Sequence, residues 1–292
     1  MTSRRVVLQS ALLSLSLLPL SRAMACVRVS PGVALADLEA RHGGRLGVAL
    51  LDTGSGREIL HRGGERFAMC STFKLLLAAQ VLAAVDAGRE RLDRRLHWSA
   101  EDLVSWSPVV EQHDGEVGLS IAELCEATMT ISDNTAANLL LAEHGGPAGL
   151  TAWLRSIGDE VTRLDRNEPT LNEAAIGDPR DTSSPAAMVA TMHRLLLGEV
   201  LSPDSRQRLI DWLVANKTGD KRLRAGAPGW QVGDKTGTSG THVSNDVGIL
   251  WPPDGGAPLL AAVFYVESTG TPQQRDAVIA EVGRIAGLWS RG

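Results

Sequence analysis

Cys70-Ser71-Thr72-Phe73-Lys74 sets a hydroxyl and an amine three residues apart at the head of the apolar run Leu75 to Val85. A serine in the first turn of a buried helix lies beside unpaired backbone N–H groups and the positive end of the helix dipole, where developing negative charge is favoured. Ser71 therefore has the setting of a nucleophile. Lys74, at i+3, shares its face, and enclosure by core disfavours the ammonium and makes the amine a usable base. An N-cap serine followed by a snorkelling lysine would show the same pattern, because S-x-x-K is short and common. Two further stretches bear on the choice: Ser132-Asp133-Asn134 opens a helix, and Lys235-Thr236-Gly237-Thr238 ends a strand. Each alone is a routine cap or turn. Between them, Arg163 to Ser184 breaks the helical pattern with Arg166-Asn167-Glu168-Pro169, Asn172, Gly177-Asp178-Pro179 and Asp181. A loop this long inside a compact domain is usually functional or disordered, and pairing of Arg166 with Asp181 would close it as an Ω-loop.

These residues need elements to hold them. Gly32 to His42 is an amphipathic helix with Val33, Leu35, Leu38 and Ala40 on its apolar side, stopped by Gly43-Gly44. Leu46 to Leu51 and Glu58 to His61 flank Asp52-Thr53-Gly54-Ser55-Gly56 as a hairpin. The Ser71 helix ends at Asp86-Ala87-Gly88, and from there to about residue 215 the pattern is helical, with starts at Ser120, Ser132, Pro147, Ser184 and Ser202-Pro203. Trp230 to Asp234, Val243 to Trp251 and Leu259 to Val266 read as strands, and Thr271-Pro272 begins a last helix through Ile279, Val282, Ile285 and Leu288. The expected fold is α/β in the α+β sense: a five-stranded antiparallel sheet made by both chain ends, flanked by helices, with an all-helical lobe inserted. The α/β lobe takes about 26–65 and 216–292, the helical lobe about 66–215, together forming a single catalytic domain. Ser71 falls at their boundary, where clefts form.

Residues 1–25 carry Arg4 and Arg5, an apolar stretch from Val6 to Leu20, and Ala23-Met24-Ala25 ahead of Cys26, the pattern of a secretory signal with its cleavage site. Ser3-Arg4-Arg5-Val6-Val7-Leu8 also fits a twin-arginine signal. The expected location is the periplasm. Lipid attachment at Cys26 is the alternative to a free mature end, although Ala23 stands where lipoprotein signals usually carry leucine. Loss of the segment's three arginines leaves 26 basic against 34 acidic side chains, a net charge of −8. That balance lacks the basic stripe nucleic acid requires, and no later run is apolar enough to span a bilayer. The 43% hydrophobic content suffices for a sizeable core.

Cys26, Cys70 and Cys125 form no C-x-x-C pair, so no structural disulfide is implied. The seven histidines are scattered without zinc-ligand spacing, and neither a metal nor a cofactor is expected. Gly229 to Thr236 is loosely like a nucleotide loop, but Asp234 breaks the required G-K-[ST].

The order S-x-x-K, S-D-N, glutamate loop and K-T-G resembles the class A serine β-lactamases, over essentially all of the chain beyond the signal. The resemblance implies an enzyme that opens the β-lactam amide of penicillins and cephalosporins through a Ser71 acyl-enzyme. Lys74, or Glu168 acting through water, takes the serine proton. Ser132, near Lys74 and Lys235, returns a proton to the leaving amine. The backbone N–H groups of Ser71 and Thr238 would hold the oxyanion, a donor there typically contributing about 2.7 to 4 kcal/mol. Glu168 with Asn172 would hold the water that releases the product. Asn134 would bind the acyl-amide side chain, and Thr236 and Thr238, with Gly237 between them, the carboxylate side of the substrate. Trp106 would wall the cleft mouth, the alternative being a core aromatic. The implied partner is a small-molecule β-lactam, and a monomer is expected.

Two departures stand out. Where many members carry an arginine beyond K-T-G, this chain reads Ser239-Gly240-Thr241-His242-Val243-Ser244-Asn245, and Arg222 matches the arginine of another branch. Carbapenem-hydrolysing members often bridge the cysteine before the nucleophile to one two residues after K-T-G; this chain has Cys70 but Ser239 at the second position, so that bond cannot form, and Ala78 stands where Cys125 would find a partner. Carbapenem hydrolysis is thereby left open. A peptidoglycan DD-peptidase and a penicillin-sensing receptor share the other motifs, but Glu168 argues against both.

Overall fold

In the computed structural model, which describes residues 30–240 and 242–290, the two chain ends meet in one sheet. The proposed signal 1–25, its twin-arginine pattern and Cys26 lie outside the described residues. Strands β1 (Arg45–Asp52), β2 (Glu58–His61), β3 (Gln231–Ser239), β4 (Val243–Trp251) and β5 (Leu259–Val266) pair antiparallel in the order β2-β1-β5-β4-β3. The expected five-stranded sheet is therefore present. Its register sets Leu50 against Ala261 and Val247 against Ala262.

Side-chain alternation sends β5 into two cores. Leu259, Ala261, Val263 and Tyr265 pack with Leu35 and Leu38 of α1 (Pro31–His42) and with Val278, Ile279 and Val282 of the last helix. Leu260, Ala262, Phe264 and Val266 face the helical lobe. Burial on both faces explains why this strand reads as an unbroken apolar run rather than an alternating one.

At the centre of the helical lobe, α2 (Phe73–Asp86) is buried at every position from Phe73 to Leu82. A helix apolar all round can only sit inside, and Lys74 is enclosed with it. Around it lie α3 (Ile121–Thr130), α4 (Asn134–Glu143), α5 (Gly146–Ser156), α6 (Pro185–Leu196) and α7 (Pro203–Val214). A short α8 (Leu223–Gly226) and α9 (Pro272–Trp289) complete the chain. Ser120, Ser184, Ser202 and Thr271 cap their helices as expected, with capping boxes to Glu123 and Gln274.

Three expectations need correction. The cap of α4 is Asp133, whose Oδ1 accepts from the Ala136 N–H at 2.9 Å, while Ser132 is freed into the left-handed region at φ 66°. Helix α5 begins at Gly146, behind Gly145 at φ 84°, so Pro147 stands inside its first turn. Strand β3 does not stop at Asp234 but runs through Lys235-Thr236-Gly237-Thr238, because pairing with β4 continues to Ser239 opposite Val243. Gly237 thus serves no turn. A Cβ there would lie 2.6 Å from the Met69 carbonyl, so the glycine permits a close backbone approach to the nucleophile turn.

The loop between α5 and α6 closes as the sequence predicts. Arg166 Nε meets Asp181 Oδ2 at 2.6 Å, and Asp181 Oδ1 accepts the N–H groups of Asp165 and Arg166 at 2.7 and 3.0 Å. Among the described residues, no helix is long and apolar enough to cross a membrane and no cluster of ligating side chains could hold a metal.

Cys70 and Cys125 are free and buried, and burial pushes both thiols up. Native protein is expected to resist alkylation at both positions and denatured, unreduced protein to react at both, read by peptide mass mapping. A bridge between them would contradict the structure.

Candidate active site

Ser71 sits in the 3-10 turn Cys70–Thr72 that feeds α2, and its Oγ donates to Glu168 Oε1 at 3.1 Å. The same carboxylate oxygen lies 3.0 Å from Lys74 Nζ. Lys74 Nζ also donates to the Ser132 carbonyl at 2.8 Å and to Asn134 Oδ1 at 2.6 Å, with Ser132 Oγ at 3.3 Å. Burial pushes the amine down, and Glu168 opposes it. The contacts decide between these effects. A carbonyl, an amide oxygen and a carboxylate accept but cannot donate, so satisfying all three takes the three protons of an ammonium. Asn134 cannot present its nitrogen instead, since Nδ2 is committed to the Ser105 carbonyl at 2.8 Å. Opposite an ionised Glu168, these contacts suit an ammonium at Lys74.

Glu168 is positioned by two asparagines. Asn172 Nδ2 donates to Oε2, and Asn138 grips the backbone from both sides, accepting from the Glu168 N–H and donating to its carbonyl, each at 2.9 Å. Asn138 was not singled out from sequence. It lies one helical turn beyond Asn134 on α4, and that spacing is the available signal.

Ser132 Oγ stands between two amines, 3.3 Å from Lys74 Nζ and 3.1 Å from Lys235 Nζ. Lys235 is fully buried on β3 and also donates to the Thr236 carbonyl at 2.9 Å. Burial, then the neighbouring Lys74, pulls its pKa down to about 7. A hydroxyl between two cationic donors can release its proton more readily than a solvated one and recover it quickly.

Trp106 is 64% exposed, with its Nε1 on the Ile131 carbonyl at 3.2 Å, so it belongs to the cleft mouth and not to the core. The Trp106 carbonyl accepts the Asn134 N–H at 2.9 Å, and Asp133 Oδ2 takes the N–H groups of Val109 and Val110, which ties this loop to the start of α4. Ser71, Trp106, Ser132, Asn134, Asn172, Arg222, Thr236 and Thr238 line one cleft of about 470 Å³.

Arg222 is no surface residue, being 8% exposed. Its Nε meets Asp276 Oδ1 at 2.7 Å, Nη1 donates to the carbonyls of Gly237 and Asn245 at 3.0 and 2.7 Å, and Nη2 donates to Thr238 Oγ1 at 2.8 Å. Thr218, also missed from sequence, shares a hydrogen bond with Thr236 Oγ1 at 2.5 Å. Ser239 Oγ donates to the Asn172 carbonyl and links β3 to the Ω-loop. Asn245 Nδ2 reaches the carbonyls of Ala68 and Met69 at 2.8 and 3.0 Å, which holds the approach to Ser71 against β4.

A family model described as the β-lactamase enzyme family matches residues 32–289. The chain belongs to the class A serine β-lactamases. It is 52% identical over 252 residues to β-lactamase L2 of Stenotrophomonas maltophilia, covering 86% of this chain and 83% of the relative. A carbapenem-hydrolysing β-lactamase KPC of Klebsiella oxytoca is 47% identical over 86% of each chain. A solved structure of an ancestral (GNCA) class A β-lactamase superposes with a TM-score of 0.87 at 65% identity, covering 90% of this chain and all of that one. The β-lactamase is thus a serine hydrolase acting on β-lactam amide bonds through an acyl-enzyme. Family membership sets the DD-peptidase and sensor readings aside.

Lys235 loses its charge in the free β-lactamase as pH rises through about 7. KM for an anionic penicillin is therefore expected to climb about tenfold per pH unit above that point, whereas Lys235→Arg, whose guanidinium stays charged, keeps a flat KM over the same range. A flat wild-type profile would remove this titration from binding.

Proposed function

We propose that the enzyme hydrolyses penicillins and cephalosporins with Ser71 as nucleophile and Glu168 as the base of both half-reactions. The observation that supports this reading is the direct contact of Glu168 Oε1 with the Ser71 hydroxyl while Lys74 is held as an ammonium. Glu168 accepts the serine proton as Oγ attacks the lactam carbon. Lys74 steadies the charge. The N–H groups of Ser71 and Thr238 receive the oxyanion, and the seating of Gly237 against Met69 brings their two chain segments side by side. As the ring C–N bond breaks, Ser132 gives its proton to the nitrogen and is recharged from Lys74 or Lys235. Glu168 next hands the serine proton to Lys74, replacing the proton drawn off through Ser132. Water held between Glu168 and Asn172 then attacks the ester and gives its proton to Glu168, which delivers it to Ser71 Oγ as the ester C–O bond breaks. Asn134 and Trp106 flank the acyl side chain. Thr236, Thr238, Lys235 and Arg222 face the carboxylate, with Arg222 orienting the Thr238 hydroxyl. The leader pattern of residues 1–25 supports a periplasmic place of action.

Hydrolysis of a chromogenic cephalosporin and of a penicillin over many turnovers tests the substrate range, with a carbapenem as a third arm. Glu168→Ala is expected to be acylated at Ser71 and then to stall, so that intact-protein mass spectrometry shows a persistent adduct. Turnover at the wild-type rate would remove Glu168 from deacylation.

Arg222→Ala is expected to lower kcat/KM for penicillins about ten- to a hundredfold, mainly through KM, since a charge-assisted hydrogen bond contributes roughly 1.5 to 3 kcal/mol. The same variant leaves Asp276 without its partner, so its Tm should also fall. Unchanged kcat/KM alongside a reduced Tm would make Arg222 structural only.

A further inference from the structure

Beneath the strand of Lys235 lie two carboxyl groups that the acyl-transfer steps leave unused. Asp234 of β3 is opposite Gly248 of β4, and Asp246 is opposite Thr236. Two residues apart in register, they are diagonal neighbours on one face of the strand pair. Both are fully buried. Asp234 Oδ1 accepts from Asn216 Nδ2 at 2.8 Å and from Arg224 Nη2 at 2.9 Å. Asp246 Oδ2 accepts from the Leu223 N–H at 3.1 Å. The remaining oxygens, Asp234 Oδ2 and Asp246 Oδ1, have no donor among the described residues, and the two carboxyl groups are close enough for each to act on the other's titration. Gly219 closes the site: a Cβ there would lie 1.7 Å from Asp234 Oδ2.

Two ionised carboxylates in contact repel, and each would keep a buried oxygen without a donor. A single proton removes both faults. We propose that Asp234 and Asp246 share one proton carried on Asp246, whose Oδ1–H donates to Asp234 Oδ2, and that this acid pair is the positioning device fastening the 216–224 segment, and with it Arg222, to the strand of Lys235. The proton belongs on Asp246 because Asp234 faces a guanidinium and an amide that favour its charged form, while Asp246 has one backbone N–H. Titration agrees in direction. Burial, then the charge of Asp234, holds the Asp246 carboxyl well above the usual carboxylate range. Burial raises Asp234 also, against the pull of Arg224.

The charged groups around the pair come from every neighbouring element. The 216–226 segment brings Arg222 and Arg224, partnered by Asp276 and Asp220. Strand β3 brings Lys235, with Lys74 and Glu168 beyond it. Arg224 neutralises a singly charged pair, so the positive charge of Lys235 stays available to an anionic substrate. A second ionised carboxylate would cancel it.

Asp246→Asn mimics the protonated acid, since its Nδ2 donates to Asp234 while its Oδ1 accepts from Leu223. In the wild type the native state keeps a proton that the unfolded chain releases above about pH 4. The stability this proton confers is complete below that value and is lost as pH rises towards the folded pKa, whereas the asparagine variant has no such loss. The unfolding constant of the wild type relative to Asp246→Asn is therefore expected to grow about tenfold per pH unit from about pH 4 to neutrality, read by denaturant melts. Infrared spectra should show a protonated-carboxyl C=O band, shifted in D2O, in the wild type and not in Asp246→Asn. A pH-independent stability difference without that band overturns the shared proton. Loss of the band in Asp234→Asn with its retention in Asp246→Asn overturns its assignment to Asp246. For positioning, Asp246→Ala is expected to raise KM for penicillins about tenfold with kcat within about threefold, and Asp246→Asn to restore KM; unchanged KM in Asp246→Ala overturns that role. The KM arm rests on Arg222 and Lys235 facing the substrate carboxylate, while the infrared and stability arms need no turnover, so the two readings fail separately.

Discussion

A fully buried ammonium sets the terms for this cleft. Lys74 Nζ is closed off from bulk solvent, and its three acceptors come from three places in the chain: the Ser132 carbonyl ahead of α4, the Asn134 side chain on α4 and Glu168 on the Ω-loop. Leaving a buried charge short of a partner costs about 3 to 5 kcal/mol. The nucleophile helix, α4 and the loop are thereby forced into one mutual register. Much local oddity follows. Ser132 takes a positive φ so that its carbonyl turns inward, and Asp133 rather than Ser132 caps the helix, which leaves the Ser132 hydroxyl facing Lys235.

The sheet supplies the other wall, and its precision comes from close backbone contact. Asn245 holds the carbonyls that precede Ser71, Gly237 lets β3 press on Met69, and Ser239 reaches the Ω-loop at Asn172. Charge is arranged with equal care. Arg222 pairs with Asp276 and Arg224 with Asp234, which leaves Lys235 facing the cleft.

What could be read in advance follows from what kind of force places each residue. The sheet, the central helix and the last helix were legible because burial imprints periodicity, and Ser120, Ser184, Ser202 and Thr271 because caps are local chemistry. The cleft residues were legible as motifs. The end of β3 was misjudged because Lys-Thr-Gly has the composition of a turn, and only its partner strand keeps it extended. Asn138 and Thr218 were missed because each acts on a residue 30 or 18 positions away, through contacts no local pattern announces. Arg222, singled out from its motif, lines the cleft, but its burial and its bond to Asp276 depend on a helix 54 positions later.

The strand at the heart of the sheet is the last of the five in chain order. Strand β5 is flanked by β1 and β4, and its pairing with β1 spans more than two hundred residues, Arg45 lying opposite Val266. A nascent chain that has not yet delivered β5 presents two unpaired strand edges and one face of each core, the surface on which chains associate wrongly. Non-local closure of this kind is slow. Closure of the sheet therefore waits for β5, and a chain cut anywhere before Leu259 lacks the centre on which both lobes close.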